Sequence, residues 1–502
     1  TYWLEVEINT SILYSSGSAR LESDAVPVLE NFGFRVLEEI PTALAGGRLG
    51  YIHDFRLELG SEADLDAIMG RVSAIEDAIA CVLRGIAEND EFNQLVLFAG
   101  LDTQPVVWLR SWFRYLRQTG SAFGLLTIVD ALRRAPQATA ALIGLFQAMH
   151  DPKLKGSREQ SVARQRAAFD EALGRVRNID DDRILRRLRA LVDAILRTNA
   201  FAPAASEAVA KKIESAREPG LPAPVPWREI WVYSPRVEGI HLRGGPVARG
   251  GLRWSDRRDD FRTEILGLMK AQLVKNAVIV PTGAKGGFYP KQLPPMSDRE
   301  AWLAEGTESY RIFIRSLLSI TDNLVNDKVV HPDQVVIHDG DDPYFVVAAD
   351  KGTATFSDVA NAIALERGFW LGDAFASGGS NGYDHKAMGI TARGAWISVQ
   401  RHFLELGIDV QSDPVTVAGC GDMSGDVFGN GMLLSKALKL VAAFDHRHIF
   451  IDPDPDPAKS FAERQRLFDL PRSSWDDYDR KLLSRGGAIF PRSQKSIALS
   501  KE

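Results

Sequence analysis

Cysteine is scarce: Cys81 and Cys420 are the only two in 502 residues, and they lie far apart in the chain. That excludes a disulfide-stapled scaffold and suits a reducing cytoplasm, the expected location. Long apolar runs are missing as well. No stretch of about 18 apolar residues occurs, so no membrane-spanning helix is expected. Excess charge is small, with a formal net charge of -6. Neither nucleic acid nor an anionic membrane is therefore an expected partner. The chain starts at Thr1 with no initiator methionine and no signal-peptide pattern, which suggests a piece of a longer protein. Metal-ligand spacing is also absent. His338-Asp339-Gly340-Asp341-Asp342 fits no metal loop and reads as a polar turn between two strands, so no metal is expected.

What is present suits about three domains, and 45% hydrophobic residues can bury substantial cores. Over residues 1–89, Trp3–Ile8 reads as a strand, Asp24–Asn31 as a helix, and Phe34–Glu39 and Tyr51–Leu59 as strands. Asp64–Ala87 reads as a helix. This β-α-β-β-α order suits a ferredoxin-like or ACT-like α+β module used for regulation or assembly. His53 falls on the apolar face of its strand and reads as a core residue. Residues 90–226 read as a helical domain. In Arg183–Arg197 the apolar residues form one stripe and the arginines lie mostly elsewhere, a solvated basic face. The proline-rich Glu218–Trp227 cannot continue a helix and marks the clearest boundary.

The densest chemistry lies in residues 244–291. Glycine pairs (Gly250-Gly251, Gly286-Gly287) flank a helical pattern, the apolar run Ala277–Val280, and a tight turn from Pro281 to Ala284 that presents Lys285. Arg249, Lys275 and Lys285 sit beside glycines or apolar residues. A buried cation is costly unless an anion meets it. The natural anion is one or both carboxylates of a small substrate. Trp302–Val325 reads as a long amphipathic helix, and Gln334–Ile337 and Tyr344–Ala349 as short strands. The second strand delivers Asp350 at its C-terminal end, where open α/β sheets bind ligands. A carboxylate there, near lysines, is a candidate proton-transfer group. Ser357 is expected to cap the helix that follows.

Residues 415–452 read as a β-α-β unit. A strand over Val415–Ala418 leads into Gly419-Cys420-Gly421-Asp422-Met423-Ser424-Gly425. A helix to about Ala443 and a strand over His448–Ile451, ending in Asp452, complete it. This approaches the dinucleotide fingerprint. Gly419 and Gly421 let the backbone turn close to a pyrophosphate, which rests on the helix N-terminus with Asp422, Met423 and Ser424 in the loop. Asp452 is placed to accept hydrogen bonds from the adenosine ribose. Asp454 and Asp456 add negative charge that would repel a 2′-phosphate, so NAD is favoured over NADP. Cys420 reads as a small residue between glycines.

These motifs carry a family resemblance. GGLR at 250–253, then a helix, then KNAVIVPTGAKGG at 275–287 is similar to the substrate-site signature of the glutamate dehydrogenase superfamily. It is most similar to the large NAD-specific class. The resemblance covers about residues 237–452 in order. It implies that Lys285 is the catalytic lysine and that Asp350, in VVAADKGT, is the catalytic aspartate. It implies that Lys275 holds the substrate α-carboxylate, although the spacing from there to the proline is one residue shorter than in the small enzymes. Arg249 stands where the small enzymes carry a lysine for the substrate side chain; an arginine can grip a carboxylate bidentately. Gly378-Gly379-Ser380 implies a substrate contact from Ser380. Gly389–Gly394 implies that Thr391 lies near the nicotinamide.

The implied fold is of the α/β class. An ACT-like α+β module and a helical region precede a glutamate-dehydrogenase-type substrate domain at 227–385 and a Rossmann-like NAD-binding domain at 386–502, incomplete after residue 452. The implied reaction is oxidative deamination of L-glutamate to 2-oxoglutarate and ammonium, in a homo-oligomer, as a tetramer. Two other readings compete. A leucine or phenylalanine dehydrogenase would not need the cation at Arg249. A non-catalytic amino-acid sensor would not need Lys275, Lys285 and Asp350 together.

Overall fold

The computed structural model describes residues 2–7, 10–15, 21–44, 50–59, 65–275, 280–348, 350, 353, 355–382 and 384–502, the side chains of 2–7, 10–15, 21–24, 50, 65, 67, 275 and 385 excepted. Two compact units result, Thr1–Gly379 and Ser380–Glu502. Among the described residues no helix is long and apolar enough to cross a membrane.

The first unit begins with β1 (Tyr2–Glu7), β2 (Thr10–Ser15), α1 (Leu21–Phe32), β3 (Phe34–Leu44) and β4 (Gly50–Leu59). They form an antiparallel sheet in the order β1-β2-β4-β3. Helix α1 joins β2 to β3 with β4 between them, the split β-α-β of ferredoxin-like modules. One strand more is present than the sequence pattern indicated. β2 follows β1 after two residues, without the Gly or Pro punctuation that usually announces a turn. The expected long second helix is broken at Gly70 into α2 (Leu65–Met69) and α3 (Val72–Leu83). Phe55 and Leu57 face the core with Phe32 and Ile79. His53 is buried, with its Nδ1 2.5 Å from Glu39 Oε1.

Helices α4 (Gln94–Phe98), α5 (Thr103–Gln118), α6 (Leu125–Arg134), α7 (Pro136–His150), α8 (Arg158–Leu173) and α9 (Ile179–Ala194) follow. Ser157 caps α8 and Asn178 caps α9. The arginines of α9 are ion-paired: Arg186 with Asp182, Arg189 with Asp193, and Arg187 with Glu218.

The helical region ends at Ala194, well before the proline-rich stretch. β5 (Ile195–Thr198) and β6 (Val209–Ile213) precede that stretch; β7 (Arg228–Tyr233), β8 (Val237–Arg243), β9 (Ala248–Arg249), β10 (Leu252–Trp254) and β11 (Thr282–Pro290) follow it. All belong to one sheet in the order β10-β11-β8-β7-β6-β5, with β9 also on β11. Residues 218–227 thus loop between neighbouring strands, and the sheet crosses the expected boundary. β5 and β6 are buried on both faces, so they carry no period-2 alternation to mark them as strands. One face of the sheet packs Trp231 against Phe261 of α10 (Phe261–Lys275) and Tyr115 of α5. The other packs Ile230 and Val232 with Phe313 of α11 (Arg299–Leu318).

After α11, β12 (Asn323–Val325) and β13 (Lys328–Val330) make a short hairpin. Residues 334–337 are irregular rather than a strand, with Gln334 at φ 57°. Of the expected strand at 344–349, residues 344–346 are irregular and β14 (Val347–Ala348) forms, while residue 349 lies outside the described residues; β14 pairs in parallel with β15 (Ala376–Ser377), off the main sheet. In α12 (Ser357–Glu366) the N-cap is Phe356, and Ser357 Oγ donates to Ser377 O instead of capping.

The supposed polar turn at 338–342 is an ionic core. Arg197 Nε lies 2.5 Å from Asp339 and its Nη1 2.7 Å from Asp322. Lys212 Nζ reaches both Asp339 (2.5 Å) and Asp342 (2.7 Å). Arg243 grips Asp342 bidentately at 2.7 and 2.8 Å. All these side chains are buried, and they join β5, β6 and β8 to the segment that leads toward β14.

The second unit contains α13 (His385–Met388), α14 (Ile390–Glu405), β16 (Val415–Cys420), α15 (Asp426–Gly431), β17 (Leu438–Phe444), β18 (His448–Ile451), α16 (Pro457–Asp469) and β19 (Ala488–Pro491). The sheet order is β16-β17-β18-β19; only the first pair is parallel. The helix expected to reach Ala443 stops at Gly431, and β17 takes up its second half. Leu438 and Leu440 of β17 are buried at alternate positions, a period obscured in sequence by the apolar residues around them.

Asp342→Ala would leave Arg243 buried without its carboxylate. A loss of about 3–5 kcal/mol is expected, read as a lower denaturant midpoint. Burial raises the Asp342 pKa, but hydrogen bonding from Arg243 and the charges of Arg243 and Lys212 hold it below its ordinary value. Its contribution is therefore complete above about pH 4 and fades as the pH falls below that.

Candidate active site

Lys285 lies in the middle of β11, with Leu242 of β8 as its cross-strand partner. Residues 282–284, expected in a turn, are already strand, so the lysine stands on a rigid element with 3% of its surface exposed. Glycines bring the neighbouring backbones close. A Cβ on Gly250 would sit 1.5 Å from the Ala284 carbonyl oxygen, and one on Gly283 would sit 2.3 Å from the Gln272 carbonyl carbon. The chain near β9 and the C-terminal part of α10 are thus pressed onto β11.

Asp350 meets the lysine. Its Oδ2 is 2.6 Å from Lys285 Nζ and 3.0 Å from Arg253 Nε. The anion beside this buried cation therefore comes from the chain itself. Asp350 N donates to Thr353 Oγ1, which in turn donates to Leu252 O at 2.7 Å and ties the segment to β10. Arg253 Nη1 also donates to Glu264 Oε1 at 3.0 Å, and Ser255 Oγ donates to Glu264 Oε2 at 2.7 Å. Burial alone would lower the Arg253 pKa; its bonds to Glu264 and Asp350 outweigh that and raise it, so the guanidinium stays charged.

Arg249 is half-buried on β9, paired with Gly283 of β11. Lys275 is the last residue of α10, not part of a strand, and its side chain lies outside the described residues. Arg253, Glu264 and Thr353 went unassigned in the sequence. Arg253 lies within the GGLR motif and Thr353 follows Asp350 by three residues, so both had a local signal. Glu264 had none, because folding alone brings it to Arg253.

In the second unit, Gly419 and Cys420 end β16. Gly421 has φ 141°, a region favourable to glycine, and its Cβ would lie 2.7 Å from Phe428 Cβ. Asp422 Oδ1 accepts from Ser424 N (2.9 Å) and Oγ (2.6 Å), shaping the loop. Met423 is buried in the core with Phe450 and Trp475, so its side chain is not free to touch a ligand. Gly425 precedes α15 and leaves that helix start without a side-chain cap. These bare backbone positions fit a dinucleotide pyrophosphate. Ser380 is exposed at the start of this unit, and Thr391 is exposed in the first turn of α14.

Asp452 does not belong to this loop. β18 runs antiparallel to β17, so its end points to the opposite end of the sheet, where Asp452 N donates to Val441 O. The Asp452 carboxylate is fully buried and accepts from Ser484 N and Oγ. The acid at the C-terminal end of the parallel strand β17 is Asp445 instead. Gly421 N donates to the adjacent Phe444 O, and carboxylate oxygens of Asp422 and Asp445 lie within 4.8 Å of each other. Burial raises the Asp445 pKa, but backbone N–H groups of Arg447 and His448 hold it below its ordinary value. Asp454 and Asp456 serve elsewhere: Asp454 pairs with Lys439, and Asp456 caps α16.

Residues 168–502 match the model of the bacterial NAD-glutamate dehydrogenase catalytic domain. The chain belongs to the bacterial NAD-glutamate dehydrogenase family. Residues 87–152 match the model of glutamate dehydrogenase helical motif 3, and residues 10–68 that of the glutamate dehydrogenase ACT3 domain. The catalytic-domain match begins within α8, ahead of the proline-rich loop, in keeping with the sheet that crosses it. The chain is 56% identical over 499 residues to an NAD-specific glutamate dehydrogenase of Pseudomonas aeruginosa, covering 98% of this chain and 31% of that protein. It is 52% identical to one from Halomonas elongata (97% and 30% covered) and 53% to one from Mycobacterium tuberculosis (95% and 31%). The chain thus spans about a third of the length of these curated relatives.

Gly250→Ala should force β11 away from the chain near β9 and destabilise the first unit by about 1–3 kcal/mol or more. Gly267→Ala, in open space within α10, should stabilise it by about 0.5–1 kcal/mol. Thermal unfolding of the two variants measures the contrast.

Proposed function

We propose that the full-length enzyme catalyses L-glutamate + NAD+ + H2O → 2-oxoglutarate + NH4+ + NADH + H+. The observation that carries this reading is buried Lys285 meeting half-buried Asp350 at 2.6 Å, in a chain of this family. The names of the relatives support both glutamate as substrate and NAD as cofactor.

Arg249 and Lys275 neutralise the two substrate carboxylates and aim Cα–H. Orientation of this kind contributes about 7–11 kcal/mol in favourable cases. NAD, held at the glycine loop, would supply the hydride-accepting chemistry for Cα–H. Lys285 activates the water that attacks the resulting substrate iminium and steadies the carbinolamine. Asp350, already at hydrogen-bond distance from Lys285, passes protons to and from the departing amine. Ser380 contacts the substrate, and Thr391 the nicotinamide end of NAD. Gly419, Gly421, Asp422, Met423 and Ser424 hold the pyrophosphate, Met423 through its backbone. Asp445, rather than Asp452, accepts the ribose hydroxyls. The reading extends to a cytoplasmic location, which the sparse cysteines suit, and to a homo-oligomer, a tetramer, which the family resemblance implies.

The test is NADH absorbance when L-glutamate and NAD are given to the full-length protein, with NADP, leucine and phenylalanine as controls. Faster reduction with leucine, phenylalanine or NADP would overturn the reading. Lys285→Ala and Asp350→Asn should each lower kcat by about 10²–10⁴-fold with NAD affinity unchanged. In equilibrium titrations, Asp445→Ala should weaken NAD binding. Asp452→Ala should instead lower the melting temperature of the second unit.

A further inference from the structure

β14, the strand described just before Asp350, lies off the main sheet. Its carboxylate nevertheless has to be held to hydrogen-bond precision if it is to move protons. Arg253 supplies a rigid hold. It sits on β10, directly after the fully buried Leu252 and next to Trp254, whose ring packs so tightly on α11 that a Cβ on Gly306 would fall 1.9 Å from it. Its guanidinium spans two acids: Nε to Asp350 Oδ2 at 3.0 Å and Nη1 to Glu264 Oε1 at 3.0 Å. Glu264 is fixed by Ser255 Oγ at 2.7 Å and stands in the first turn of α10, between the fully buried Phe261 and Ile265. The carboxylate oxygen that Arg253 holds is the same one that meets Lys285.

We infer that Arg253 is a positioning residue, braced by Glu264, that fixes the Asp350 carboxylate against Lys285. This rests on the catalytic roles proposed above for Lys285 and Asp350. A planar fork with several donors can bridge two carboxylates at once; a lysine ammonium is a point charge on a flexible stem. Without the brace, the Asp350 carboxylate loses its direction, so chemistry suffers more than binding.

The test is steady-state kinetics of the full-length enzyme. Arg253→Met should lower kcat on the order of 10²-fold while KM for glutamate and NAD stays nearly constant. Arg253→Lys should restore part of the kcat. Glu264→Gln should give a smaller loss and add nothing in the Arg253→Met background, since both act through one contact. A raised KM at unchanged kcat would assign Arg253 to substrate binding and overturn the inference. So would an unchanged kcat, losses from the two positions that multiply, or an Arg253→Met loss that vanishes on correction for folded fraction. If Lys285→Ala and Asp350→Asn lose turnover while Arg253→Met keeps it, this inference alone fails. If those two variants keep turnover, the reading beneath fails with it.

Discussion

A lysine ammonium with 3% of its surface exposed must be met by negative charge, and that requirement organises the first unit. Asp350 meets it at 2.6 Å. For this to happen, β10 must lie flat on β11 and the segment after β14 must return to both. Gly250 permits the first condition, because a side chain there would collide with the β11 backbone at Ala284, and Gly283 lets α10 pack against the same strand. Thr353 and Arg253 provide for the second by tying that segment to β10. The pair is therefore held by parts of the chain about 65 residues apart.

Buried charge recurs through the same unit, each time between elements distant in sequence. Arg262 of α10 meets Glu229 of β7 at 2.5 and 2.9 Å, and Tyr115 of α5 donates to the same carboxylate. The Arg197, Lys212 and Arg243 group binds Asp322, Asp339 and Asp342. Such groups are costly to bury and costlier to leave half-paired. They make the sheet intolerant of partial assembly, and they explain why a proline-rich loop within it is not a domain boundary.

In the second unit, strand direction assigns the acids. Ligands gather at the C-terminal ends of parallel strands. β16 and β17 are parallel and end at Gly419–Cys420 and Asp445, whereas β18 returns antiparallel and carries Asp452 to the far end. One shortened helix, α15, accounts for the change of residue. Once it stops at Gly431, the next strand arrives about ten residues earlier than the apolar pattern suggests.

Read from the residues alone, the chain already showed most of its helices and strands, the dehydrogenase resemblance, the glycine loop, and Lys285 and Asp350 as candidates for one site. Those signals are local: a glycine beside a cation, or an acid after an apolar run, is legible within a few residues. Only the folded arrangement shows that Lys285 stands on a strand, that Arg253 bonds both Asp350 and Glu264, that residues 195–213 join the sheet of Lys285, and that Asp445, not Asp452, follows the parallel strand β17. Each of these depends on which strand lies beside which and in what direction. Short-range periodicity does not encode that, because a strand buried on both faces looks the same whatever its neighbour.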